Sequence, residues 1–180
     1  TAKTGRPNAC NLCHLAKPLG WTADKLTEWY GQPAVELTEQ QKTTSAVVTM
    51  ALQGDAADRV IAAWHLGWEP ARRASRDDWQ VPFLAYLLED PYSVVRYVSY
   101  RSLKKQPGFE KLTFDFASPN QQRQSHKILA LEIWQSQATS RQPFGASGPA
   151  ILLGSDGQLN SAAIEERLRQ RDNRPIVILE

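Results

Sequence analysis

Two stretches of the chain repeat each other. "MALQGDAADRVIAAWHL" (50–66) lies over "LLEDPYSVVRYVSYRSL" (87–103) at an offset of 37 residues, pairing Met50 with Leu87, Arg59 with Arg96, Ala62 with Ser99 and Leu66 with Leu103. Each copy reads as an apolar helix, a tight turn containing Asp, and a second helix opening with Asp-Arg or Val-Arg. A unit this short cannot bury its own apolar face, so successive copies must stack. The pattern predicts a mainly α body over 38–142 made of antiparallel helix pairs. Val47, Val48, Ala51 and Leu52 form one apolar stripe, Val60, Ile61, Ala63 and Trp64 the next, and Val94, Val95, Val98 and Leu103 a third. "NQQRQSHKILALEIWQS" adds an amphipathic helix, with Ile128, Leu129, Leu131, Ile133 and Trp134 apolar.

The flanks differ from this body. In 1–37, "TADKLTEWYG" predicts a short helix with Thr22 as N-cap and Gly31 as its end, after a break at Pro18, Gly20 and Trp21. In 143–180, a strand over Ala150–Leu153, a helix in "NSAAIEERLRQR" and a β run in "RPIVIL" predict a small strand-helix-strand appendage. "SDGQLN" lacks the alternating Asp positions and the bidentate Glu of a calcium loop and reads as a turn.

The N-terminal segment holds the chain's chemistry. Both cysteines, Cys10 and Cys13, fall in "ACNLCH", directly before His14. A thioredoxin-like dithiol needs a preceding strand, and "TAKTGRPNA" has no strand pattern. A structural zinc site needs four nitrogen or sulfur ligands, and His14, His65 and His126 have no H-x3-5-H spacing. C-x-x-C-H is the attachment sequence of c-type haem: the thiols add to the porphyrin vinyl groups and the adjacent His binds iron. Residues three apart share one side of a helical turn, which suits two bonds to one flat macrocycle. One covalent haem c consumes both thiols and leaves no free Cys, as suits an oxidising compartment.

His14 is then the proximal ligand, and the candidates for the second are His65, His126 and Met50. His65, in "AAWHLGW", is flanked by Trp64 and Trp68, whose indoles would shield a porphyrin and hold the imidazole. His126 sits between Ser125 and Lys127 on a polar turn, and Met50, the only methionine, on a core-like stripe. His65 is the preferred ligand, with Trp21 and Trp64 as candidate haem-wall residues.

"GRPNACNLCH" with its Trp-rich helix, then the two repeats, then "RDNRPIVILE", resembles the C-terminal portion of bacterial multihaem c-type cytochromes with HEAT-like repeats. The resemblance implies a periplasmic or otherwise extracytoplasmic electron carrier whose partners are a redox protein or neighbouring haem domains. Those proteins line up several haems for transfer between them; this chain holds one C-x-x-C-H. Beginning at Thr1, it reads as a processed form or a piece of a longer protein. The competing function is a haem with an open distal position for small-molecule binding or catalysis.

Composition removes other classes. A net charge of +2 and no basic run interleaved with aromatics argue against nucleic acid. No apolar run approaches the length of a membrane span. The serines have no His and acid arranged for nucleophilic chemistry, and no Gly-rich loop could cradle phosphate.

Overall fold

The computed structural model describes residues 7–76, 78–138 and 148–174. They form ten α-helices and no strand: α1 (Ala9–Cys13), α2 (Leu19–Tyr30), α3 (Glu39–Thr43), α4 (Ala46–Gln53), α5 (Ala56–Leu66), α6 (Glu69–Ser75), α7 (Val81–Leu87), α8 (Ser93–Leu103), α9 (Asn120–Ser136) and α10 (Ser161–Arg169). The chain is mainly α. α4 packs on α5, α7 on α8, α5 on α8 and α7 on α9.

The repeat offset reappears in the backbone. α5 and α8 are both 11 residues long and their bounds are displaced by 37 positions. Met50 and Leu87, Ala62 and Ser99, and Leu66 and Leu103 are all buried. Arg59 donates from Nη1 to the carbonyl of Gly54 (2.7 Å), five residues back, and Arg96 donates from Nη1 to that of Pro91 (2.8 Å), again five back. Arg59 also clamps Asp90, and Arg96 reaches the carbonyls of Asp90 and Phe116. Each guanidinium thus closes the turn that opens its own helix.

Turn chemistry starts these helices. Asp55 caps α5 by accepting from the Asp58 amide (2.9 Å), and Asp90 accepts from the Tyr92 amide (3.0 Å) just before α8. Gly67 ends the α5 turn where α8 passes closely: a Cβ there would lie 2.6 Å from the Ser102 Cα.

Several expectations need correction. α2 starts at Leu19, with Pro18 in the N-cap position, so Thr22 is buried inside the helix and its hydroxyl donates to Asn11 (2.9 Å). Gly31 does end α2, in the left-handed region that a residue without Cβ occupies freely. Val94 is exposed, and the covered face of α8 is Val95, Arg96, Ser99, Ser102 and Leu103. On α9 only Ala130 and Trp134 are buried, while Ile128 and Leu129 are exposed. The helix packs against α7 alone among the helices with extended contacts, so one narrow face is covered.

The strand expected over Ala150–Leu153 does not form. Pro149–Ile151 is a 3-10 turn, Leu152 takes a left-handed conformation (φ 55°), and Leu153 makes an isolated bridge with Leu159. The left-handed Leu152 interrupts any extended run at its third residue. α10, capped by Asn160, forms as expected. The β run in "RPIVIL" lies outside the described residues after Arg174. Leu15 from the N-terminal segment and Ile151, Leu153 and Ile164 from the C-terminal one join the same core as the helix pairs.

Candidate functional site

The candidate site is built on α1, a helix of only five residues that tertiary contacts must hold. Asn8 caps it, accepting from the Asn11 amide (3.0 Å). Asn11 is buried, and its side-chain amide donates to the carbonyls of Lys17 and Pro18 while its oxygen accepts from Asn8 and Thr22. Leu15 is fully buried, its carbonyl accepting from the Ser45 hydroxyl (2.6 Å). α1 packs on α6, α5, α4 and α2.

Helical geometry then decides where the thiols go. At about 100° per residue, Cys10 and Cys13 share one side of α1 and Asn11 falls on another. The back of α1 is anchored, and Cys10, Cys13 and His14 are half-buried, with both thiols free. His14 stands at the C-cap with its amide bonded to the Cys10 carbonyl (2.7 Å). Its ring lies 4.9 Å from that of Trp21 on α2, and the Lys17 ammonium lies over the same indole.

The other candidates lie elsewhere. His65, in the last turn of α5, has its ring 4.8 Å from Trp64 and 5.8 Å from Trp68, and the two indoles stack on each other. Nδ1 of His65 is 2.8 Å from the Ile61 carbonyl, which leaves Nε2 without a partner in that bond. Trp64 is about half exposed (47%). α5 packs against α1, but no ring contact joins His65 to His14 among the described residues. His126 makes the same kind of bond, Nδ1 to the Gln122 carbonyl, and packs on Phe114. Met50 is buried in the core.

Among the described residues no group of three or more His, Cys, Asp or Glu side chains converges as a metal site. No described helix is long and apolar enough to cross a membrane.

The N-terminal segment carries more uncovered apolar surface than its sequence suggests. Leu26, Trp29, Tyr30 and Val35 are all exposed. Leu19, Leu26, Tyr30, Pro33 and Val35 line a groove of about 510 Å³ with Asn8 at one edge. Cys10, Cys13 and His14 do not line it. Comparison with family models, curated proteins and solved structures finds no match for this chain.

Ser75, at the end of α6, was not visible as a site residue in the sequence. Its hydroxyl accepts from the Leu15 amide (2.7 Å) and donates to the Cys13 carbonyl (3.2 Å), one contact on each side of His14. Some 60 residues of chain separate the partners, so no local pattern could have signalled it.

Proposed function

We propose that this chain is a c-type cytochrome domain with one covalent haem c, and that it carries electrons in an extracytoplasmic compartment. A redox protein or neighbouring haem domains would be its partners, and the body would be a stack of HEAT-like helix pairs. The observation that carries this reading is that buried Asn11 and Leu15 anchor the segment while Cys10 and Cys13, both half-buried with free thiols, share one side of α1 and His14 stands at its end. The matched bounds of α5 and α8 and the matched bonds of Arg59 and Arg96 support the repeat reading.

When bound, haem supplies a one-electron iron couple whose potential depends on axial ligands and burial. The rest falls to the chain. Cys10 and Cys13 would hold the macrocycle edge through their sulfurs, and His14 would bind iron through one ring nitrogen. Trp21, beside the His14 ring, would keep water from that ligand. His65 is the proposed second ligand, its Nδ1 held by the Ile61 carbonyl so that Nε2 is the nitrogen offered, and its ring packed edge-on against Trp64 and Trp68. His126 makes the same bond to a carbonyl, so the support for His65 over His126 is that α5 packs on α1.

The test is to express the chain in a host that attaches haem c. Intact mass should exceed the polypeptide by one haem that survives acid-acetone extraction, and replacing both Cys10 and Cys13 by Ala should abolish the adduct. Bare polypeptide mass, or haem that extracts freely, would overturn the reading.

A further inference from the structure

We infer that Ser75 is a positioning residue for His14, acting through the backbone on both sides of that ligand; the inference rests on the proposed attachment of haem at Cys10, Cys13 and His14. The Ser75 hydroxyl donates to the Cys13 carbonyl and accepts from the Leu15 amide, so one oxygen brackets the single residue between them. His14 is the C-cap of α1, with φ −90° and ψ 69°, outside regular helix, and the five-residue helix before it offers little of its own rigidity. A residue in that place would swing if its flanking peptide groups were loose.

Ser75 is itself held. Its carbonyl accepts from the indole N–H of Trp79 (2.9 Å), and Trp79 is almost fully buried. On the far side, the Asp78 carbonyl accepts from the indole of buried Trp134 on α9 (2.9 Å). The bracket on His14 therefore leads back into the core. Ser45 completes it from α4 by donating to the Leu15 carbonyl, and the Ala46 amide donates to the Lys17 carbonyl (3.2 Å). These bonds secure the segment after the ligand; the His14 amide and carbonyl are held locally by the Cys10 carbonyl and the Lys17 amide, and among the described residues Ser75 is the one side chain that bonds to both peptide groups flanking His14.

A ligand held this way keeps one ring orientation toward its metal, and outer contacts of this kind tune metal affinity and potential. The bonds of the Ser75 hydroxyl go to backbone, so its influence passes through the direction in which the His14 side chain leaves that backbone.

The experiment compares the unaltered holoprotein with Ser75→Ala, Ser75→Thr and Ser75→Cys variants, reading haem attachment by mass, fold by circular dichroism, midpoint potential by titration, and the ferric signal by electron paramagnetic resonance. Cysteine keeps a side chain of similar shape with a much weaker donor and acceptor, so it serves if the alanine variant does not fold. In Ser75→Ala the ferric signal should broaden or split into a second species and the potential should shift, while Ser75→Thr, which keeps the hydroxyl, should restore both. Attachment with unchanged signal and potential, even at lower thermal stability, would overturn the positioning role and leave the haem reading standing. No haem on the unaltered chain would instead overturn the haem reading, and this inference with it.

Discussion

Arg59 and Asp90, 31 residues apart and both fully buried, form a two-pronged ion pair: Nε meets Oδ2 at 2.6 Å and Nη2 meets Oδ1 at 3.2 Å. Arg171 adds a third contact to the same carboxylate at 3.2 Å, bringing the C-terminal segment to the junction of the two repeats. Burial disfavours the charge on Arg171 and pulls its pKa below the ordinary arginine value. Asp90 is the anion that both guanidiniums require.

Replacing Asp90 with Ala should therefore cost about 3–5 kcal/mol, because it leaves buried cations unpaired. Urea unfolding followed by circular dichroism measures this. A loss under about 1 kcal/mol, the size of an exposed pair, would show that the junction tolerates the charges in another way.

Gly67 tests the approach of the two repeat helices at their other end. A methyl group there meets Ser102, with backbone as well as side chain in the way. Gly67→Ala should destabilise by about 1–3 kcal/mol through overpacking. An unchanged melting temperature would mean that α5 and α8 lie farther apart than described.

Asp172 gives a dependence on pH. Hydrogen bonding to the Arg174 side chain and backbone lowers its pKa to about 2. A depressed carboxyl pKa adds stability that is present above the unfolded value near 4 and is lost as pH falls through the folded value near 2. Amide exchange of the segment around Asp172, whose own amide bonds to the Gln53 carbonyl (2.9 Å), should rise over that window. Asp172→Asn should flatten the rise, and an equal rise in both proteins would place its origin at another carboxylate.

His65→Ala should convert a low-spin holoprotein into a high-spin one that binds carbon monoxide, while His126→Ala should leave the spectrum unchanged. A low-spin spectrum surviving in the His65 variant removes His65 as ligand. High-spin iron in the unaltered protein supports the open distal position.

What could be read from the residues was what lies within a turn or two. The repeat register was legible because it rests on apolar period and turn chemistry, both local, and α5 and α8 follow it at every bound. The C-x-x-C-H spacing was legible for the same reason. Thr22 misled because an N-cap residue type also suits a buried hydroxyl, and its partner Asn11 lies on another helix. Val94, Ile128 and Leu129 misled because an apolar stripe does not say how much of it a neighbour will cover.

The sequence by itself determined a mainly helical chain, a 37-residue repeat and a thiol, thiol, imidazole cluster at one end, since each depends on short-range periodicity and spacing. Only the tertiary structure decided that Asn11 and Leu15 are buried while both thiols stay half-buried, that Asp90 gathers Arg59 and Arg171, and that Ser75 brackets His14. The physical reason is that a short helix such as α1 has several faces of similar local preference, and the buried hydrogen bonds available from distant segments select among them.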